Sequence, residues 1–404
     1  MNDTSKPSLA IIIPAYNEED GIASIIERTL AARAAIQQRA DIGAVEIIVV
    51  DDGSSDRTAE IARGYPEVHL VSYPKNKGYG AAIKEGFEHA HGNVLGFLDA
   101  DGTCDPAFFI ELCNALRERQ ADVVLGSRLG PGTQMPAIRK LGNRIFASII
   151  NLWGGTRITD SASGMRVLRR DSLPKLCPLP DGMHFTPAMS CRAIFDPRLK
   201  IVEVPMPYSE RTGESKLRVV KDGLRFLRII VETALTYRPL RFFGVIGSLF
   251  LLIALGYGLY PVYYYAANRF LEGWMIYRLV TVTVAAISGI NLLAVGLLAQ
   301  QTVSLIHEDF SKPRGSRAWL NHLLLKRLVP WGVLSVLLGV TLNAQSLWEY
   351  ATTGHVTAHW VYVLTGGLLV TLGIELVSFG VLAHVLDILT ARKLFVHRYA
   401  SADR

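Results

Sequence analysis

Four short polar clusters in this chain sit beside apolar runs. Pro14-Ala-Tyr-Asn-Glu-Glu19 closes the run that begins at Leu9. Asp51-Asp-Gly-Ser-Ser-Asp56 follows Val45–Val50, and Asp99-Ala-Asp101 follows Val94–Leu98. Asn76-Lys-Gly-Tyr-Gly80 opens a helical stretch. The chemistry is plainest in Asp99-Ala-Asp101. Residues i and i+2 leaving a strand point to the same side, so both carboxylates can offer oxygens to one hard divalent cation. Mg²⁺ is commonly held by one or two carboxylates and bridges to phosphates, and Mn²⁺ suits the same ligands. Such an ion neutralises a diphosphate leaving group. Three of the clusters also have a plainer explanation. A lone D-x-D starts many turns, Ser54 or Ser55 could cap the following helix, and Asn76–Gly80 could be a turn. The order of all four is the informative feature.

The elements that would position them alternate. Leu9–Pro14, Val45–Val50, Val94–Leu98 and Val123–Leu125 read as strands, and Ile22–Gln38 and Pro106–Arg119 as helices. That alternation predicts an α/β domain with a mainly parallel sheet, whose ligands bind beyond the carboxyl ends of the strands. The polar clusters fall at those ends. No G-x-G-x-x-G and no G-x-x-x-x-G-K-[ST] follows a strand, which counts against a dinucleotide enzyme and a P-loop NTPase. Cys104, Cys113, Cys177 and Cys191 form no C-x-x-C pair, and they read as reduced thiols rather than a zinc site.

The combination Ile11-Ile-Ile-Pro-Ala-Tyr-Asn-Glu-Glu, Val49-Val-Asp-Asp-Gly-Ser-Ser-Asp and Phe97-Leu-Asp-Ala-Asp resembles the GT-A fold of family-two glycosyltransferases, which use nucleotide sugars. Gly126-Ser-Arg128, Asp160-Ser-Ala-Ser-Gly-Met-Arg166 and Glu210-Arg-Thr-Gly-Glu-Ser-Lys216 are similar to its dolichyl-phosphate mannose synthase-like branch, which glycosylates polyprenyl phosphates. The likeness covers about residues 8–235. It implies that Pro14, Tyr16, Glu18, Asp51 and Asp52 contact the nucleoside, with Lys77 in a basic Gly-rich loop nearby. It implies that Asp99, Ala100 and Asp101 meet the sugar diphosphate, with Asp99 and Asp101 on Mg²⁺ or Mn²⁺. Some relatives add a Gln ligand where this chain has Thr103. Arg128, Arg139 and Arg211 match positions that hold the acceptor phosphate, joined by Asn143, Ser215 and Lys216. Asp101 and Asp160 are the catalytic candidates. A phosphate acceptor is already anionic near pH 7 and needs little proton removal, so Asp160 is either a base or an orienting group. His184 and Ala188 stand where relatives have Glu, which leaves the sugar open.

The remaining chain has a different character. Overall, 50% of residues are hydrophobic and 19% charged. Residues 1–240 carry 30 Lys+Arg against 29 Asp+Glu; residues 241–404 carry 12 against 7. No basic face argues for nucleic acid. Residues 242–268, 279–304, 328–348 and 360–386 are long and apolar enough for four transmembrane helices. The stretch from Ser288 to Ala299 repeats from Leu372 to Ala383, an offset of 84 residues that makes Asn291 and Glu375 equivalent. Basic residues lie between the second and third spans (Lys312, Arg314, Arg317, Lys326, Arg327) and in the tail (Arg392, Lys393, Arg398, Arg404). The positive-inside rule therefore places the catalytic domain and the C-terminus in the cytoplasm. Residues 216–240, with Arg218, Lys221, Arg225, Arg228 and Arg238 among leucines and isoleucines, read as amphipathic helices on that surface.

The expected organisation is a GT-A domain at 1–215, interfacial helices at 216–240, a four-helix membrane domain at 241–391 and a basic tail at 392–404. The expected activity is inverting, metal-dependent transfer of a hexose from a UDP- or GDP-sugar to a polyprenyl phosphate, in a multi-pass membrane protein that could form oligomers. Three alternatives stand beside it, the first a glycosyltransferase using another lipid acceptor. A processive polysaccharide synthase would carry Q-x-x-R-W, but Gln300 and Gln301 lead into Thr-Val-Ser-Leu. A lipid-linked-sugar translocator or scaffold would use the first domain only to sense sugar nucleotides.

Overall fold

The computed structural model describes residues 6–130, 135, 137–154, 157–207, 219–306, 317–357 and 359–402. The chain divides into two compact units, Met1–Ala234 and Leu235–Arg404.

The first unit is built on a seven-stranded sheet in the order β3-β2-β1-β4-β6-β5-β7. Its strands are β1 (Ser8–Ala15), β2 (Ala44–Asp51), β3 (His69–Ser72), β4 (Val94–Phe97), β5 (Val123–Ser127), β6 (Arg166–Arg169) and β7 (Ile201–Pro205). All pair in parallel except β6, which runs antiparallel to both β4 and β5. The centre is β1. Leu9, Ala10, Ile11, Ile12 and Ile13 are each fully buried, because a parallel strand covered on both faces must be apolar at every position.

Helices connect the strands: α1 (Ile22–Arg39), α2 (Thr58–Arg63), α3 (Tyr79–His89), α4 (Phe109–Glu118), α5 (Ala137–Trp153), α6 (Leu173–Leu176) and α7 (Phe185–Phe195), and α8 (Val219–Tyr237) follows β7. On one face, Leu9, Ile11 and Ile13 join Ile22, Ile25 and Ile26 of α1 and Phe109 and Leu112 of α4 in one core. The expected helix at Pro106–Arg119 begins as a short 3-10 turn, with Pro at its first position and the Asp105 side chain accepting from Ala107 N. The fixed φ of proline and the capping oxygen suit that start.

The second unit contains α9 (Pro239–Asn268), α10 (Ile276–Ile306), α11 (Arg317–Thr353) and α12 (Trp360–Ala402). Each contains a stretch long and apolar enough to cross a membrane. The 84-residue repeat is visible in their geometry: α10 begins at Ile276 and α12 at Trp360. A Cβ on Gly247 would stand 2.8 Å from Gly289 O, and one on Gly332 would stand 2.7 Å from Gly373 O. Each helical pair is thus closed by small residues that let the backbones touch. The repeat-equivalent Asn291 and Glu375 meet directly, Asn291 Nδ2 donating to Glu375 Oε1 at 2.9 Å.

Candidate active site

Beyond the carboxyl ends of β1, β2 and β4 lies a cavity of about 360 Å³. Pro14, Tyr16, Glu18, Asp52, Asp99, Ala100 and Asp101 line it, together with Asn76, Gly78, Tyr79, Met183 and Arg225. Strand ends that are far apart in sequence converge here because β1 lies between β2 and β4.

The two members of the first acidic pair have different surroundings. Asp52 accepts from Lys77 N at 2.7 Å and from Gly78 N at 2.9 Å, so it shapes the loop that enters α3. Gly78 has φ +111 there, a conformation open to glycine. Asp51 is 2% exposed and is not on the cavity wall. Its carboxylate accepts from Ser54 N at 3.1 Å and from Ser72 Oγ at 2.7 Å, fastening the end of β2 to β3. Lys77 also lies off the wall: its ammonium is 3.6 Å from Glu85 and 4.2 Å from the Tyr73 ring centroid. Ser54 and Ser55 do not cap α2. Asn17 N donates to Ser54 Oγ at 2.9 Å and Ser55 N donates to Asn17 Oδ1 at 2.8 Å, stitching the β1 loop to the β2 loop. The side chain that meets the first amide of α2 is Asp56, accepting from Thr58 N at 3.0 Å.

Asp99 and Asp101 are held by specific neighbours. Tyr79 OH donates to Asp99 Oδ1 at 2.7 Å. Burial and the charge of Asp99 push the Tyr79 phenol well above its ordinary pKa, so it remains a donor at neutral pH. Gly164 lies directly against the Asp99 carboxylate, where any Cβ would collide with Oδ2. Asp101 Oδ1 accepts from Thr103 N at 3.1 Å and from Thr103 Oγ1 at 2.7 Å. Thr103 is buried and orients Asp101. Among the described residues, no cluster of three or more His, Cys, Asp or Glu could hold a metal on its own. A pair of carboxylates on a cavity wall nevertheless suits Mg²⁺ or Mn²⁺, whose remaining ligands are commonly water and phosphate oxygens.

Asp160 is different again. It is fully buried and is absent from the cavity wall. Its Oδ2 accepts from Arg128 N at 3.0 Å and Arg128 Nε at 2.8 Å. Its Oδ1 accepts from Arg128 Nη2 at 2.9 Å, Asn143 Nδ2 at 2.6 Å and Ala162 N at 3.2 Å. Burial opposes the charged form, but the Arg128 charge and these hydrogen bonds outweigh it and hold the carboxyl at about 2. A carboxylate so fully engaged is a poor proton acceptor. What Asp160 orients in the structure is Arg128 and Asn143. Arg128 and Asn143, expected on the acceptor phosphate, are also engaged here with Asp160.

The loop after Asp160 is fixed from below. Glu203 on β7 accepts from Thr159 N and Asp160 N, both at 2.8 Å. Arg166 is completely buried, donating to Ser163 O at 3.0 Å, Ser161 O at 2.9 Å and Ser190 Oγ at 2.9 Å. Burial lowers its pKa to about 10, and it remains charged at pH 7. Arg139 lies in the first turn of α5, one helical turn before Asn143. Its side chain, and Arg211, Ser215 and Lys216 entirely, lie outside the described residues.

Sequence reasoning assigned no site role to Tyr79, Arg166 or Glu203. Tyr79 and Arg166 stood inside motifs already quoted, but neither motif says which residue points at which carboxylate. The sequence puts Arg225 in an amphipathic helix lying on the membrane surface, and the structure puts it on the cavity wall.

Comparison with known proteins is consistent with this geometry. The profile described as glycosyl transferase family 2 matches residues 10–177. A second, described only as a domain of unknown function, matches residues 239–397. The chain is 35% identical over 255 residues to the low-salt glycan biosynthesis hexosyltransferase Agl6 of Haloferax volcanii, covering 61% of this chain and 60% of that protein. It is 31% identical to the undecaprenyl-phosphate 4-deoxy-4-formamido-L-arabinose transferase of Pectobacterium atrosepticum, over 76% of this chain and 91% of that one. It is also 31% identical to a dolichyl-phosphate hexose transferase of Haloferax volcanii, over 59% of this chain and 99% of that one. With a GT-A-type sheet, the ordered acidic motifs at its strand ends and these relatives, the chain belongs to glycosyl transferase family 2.

Proposed function

We propose that the protein transfers a hexose from a UDP- or GDP-sugar to a polyprenyl phosphate at the cytoplasmic face of a membrane, with inversion at the anomeric carbon. The observation that carries this reading is the single cavity wall shared by Tyr16, Glu18, Asp52, Asp99, Asp101 and Arg225. Tyr16 and Glu18, beside the Asp52-shaped loop, take the nucleoside. Asp99 and Asp101 hold Mg²⁺ or Mn²⁺, which when bound neutralises the charge developing on the nucleoside diphosphate. Tyr79 and Thr103 keep those carboxylates oriented. The acceptor is already an anion, so an oxygen of its phosphate attacks without a strong general base. That matches an Asp160 already occupied by Arg128 and Asn143. Arginine suits an incoming phosphate, and Arg225 offers one at the cavity. The names of the two relatives above, one an undecaprenyl-phosphate and the other a dolichyl-phosphate transferase, support the acceptor class. The basic segments flanking the spans support the cytoplasmic side.

The test is transfer of radiolabelled sugar into the lipid fraction by the purified full chain. Transfer should require divalent metal, and Asp101→Ala should lower it by about 10³-fold or more, the scale seen when a stabiliser of developing charge is removed. Undiminished transfer by the folded Asp101→Ala protein would overturn the metal assignment. Absence of transfer with every UDP- and GDP-sugar would favour the sensing alternative.

A further inference from the structure

The second unit contains a cavity that the proposed reaction does not use. It has a volume of about 920 Å³ and lies at the end of the bundle where α11 finishes and α10 and α12 begin. This is the end opposite the start of α9. Its walls are mostly apolar, with Val340, Leu347, Val363 and Val370 among them, and among the described residues no charged one lines it. Its polar groups are Asn343 and Ser346, and its aromatic ones are Tyr350 and Trp360. Ser346 is 5% exposed, and neither its Oγ nor Asn343 Oδ1 has a hydrogen-bond partner among the described residues.

Unpartnered buried polar atoms are costly, and the repeat shows that this fold does not require them. Gly247 and Gly332, 85 residues apart, make the same contact with the facing helix, so Gly258 and Pro261 stand at the equivalent places on α9, and neither carries a polar side chain. The second hairpin has therefore departed from the apolar pattern at the two positions that face a cavity. Gly367 leaves space as well: a Cβ there would meet nothing within 4 Å.

We infer that this cavity binds the uncharged sugar head of a lipid-linked glycoside, with the hydrocarbon chain against the apolar walls. Asn343 Oδ1 accepts from a sugar hydroxyl, Ser346 Oγ exchanges hydrogen bonds with another, and Trp360 and Tyr350 offer flat apolar faces. Among the described residues no cation lines the cavity, which argues against a phosphate as the group recognised. The inference goes beyond the proposed reaction: the product proposed there carries a phosphodiester between sugar and tail, whereas the glycoside recognised here is uncharged.

The probe is a brominated long-chain alkyl glucoside, titrated into the full chain in lipid nanodiscs and read by quenching of tryptophan fluorescence. Alkanol and alkyl phosphate of the same brominated chain are the comparisons. Trp360→Phe should remove the quenching component. The glucoside should bind about tenfold more tightly than either comparison. Asn343→Leu with Ser346→Ala should erase that preference and leave tail binding intact. Gly367→Leu, which fills the cavity and favours helix, should weaken all three by tenfold or more. Equal binding of the three compounds to the wild type would overturn the inference, and so would a preference that survives the Asn343→Leu/Ser346→Ala change. Glucoside preference in a chain that transfers no sugar would count against the proposed reaction alone. Transfer without preference would count against this cavity alone.

Discussion

Asp101 and Asp160 are both conspicuous carboxylates at the ends of elements in one sheet, yet they occupy opposite kinds of place. Asp101 lines a cavity and is steadied by Thr103. Asp160 is fully buried, and Arg128, Asn143 and Ala162 all donate to it. The difference shows how a protein divides charged groups between chemistry and scaffold. A carboxylate presented to a cavity can meet a ligand, whereas one surrounded by the protein's own donors mainly fixes the groups that donate to it.

The sharpest way to break this comparison is Asp160→Asn. The substitution takes from the Arg128 guanidinium the carboxylate it is bonded to, and removing one member of a buried pair typically costs about 3–5 kcal/mol. We expect a loss of that order, followed as faster hydrogen exchange at the amides of residues 159–165. Adding Arg128→Met should recover part of it, because the charge that lost its carboxylate is gone. If Asp160→Asn left exchange unchanged and abolished transfer through kcat alone, Asp160 would belong with Asp101 and not with the scaffold.

A change of pH probes the same contrast more gently. The folded value of Asp160, about 2, lies below the ordinary 3.8. Its contribution to stability is therefore complete above about pH 4 and drains away as pH falls through 2. The difference amounts to about 2 kcal/mol. Protection of the Asp160 loop should stay flat from pH 8 to 5 as far as this group is concerned and decline only below 4. An acid limb near pH 6 in the rate profile would then have to come from another group, such as the acceptor phosphate.

The sequence made the sheet legible because β1, β2, β4 and β5 are short runs of Ile, Val and Leu with polar punctuation, a pattern that a doubly covered parallel strand requires. β6 and β7 were harder to see. Arg166–Arg169 carries arginine at both ends, and only tertiary context reveals that the first is buried and bonded to loop carbonyls. At the site, motif order was enough to gather Tyr16, Asp52, Asp99 and Asp101 on one wall. It could not separate Asp51 from Asp52, since neighbours in sequence point to opposite sides of a strand end and only one reaches the cavity. Gly164 was equally opaque: its role is to make room for Asp99, a residue 65 positions away. The same limit explains Arg225. Its spacing within α8 is that of a surface stripe, and nothing local says that the helix passes a cavity.

Arg225 and Arg128 extend the comparison from carboxylates to arginines, with the smallest expected effect. Arg128 is bound to Asp160, so its loss should appear mainly as instability. Arg225 is exposed and on the cavity wall, so Arg225→Ala should cost less stability than Asp160→Asn. Its effect should be on acceptor binding. Losing one charge-assisted phosphate contact, worth about 1.5 kcal/mol, should raise KM for polyprenyl phosphate about tenfold while KM for the sugar nucleotide and kcat change little. Arg225→Lys should restore part of the loss, because a point charge persists without the planar fork. A rise confined to the KM of the nucleotide would instead put Arg225 on the donor diphosphate, beside Asp99 and Asp101, and would move the acceptor's phosphate contact to a different arginine of the chain.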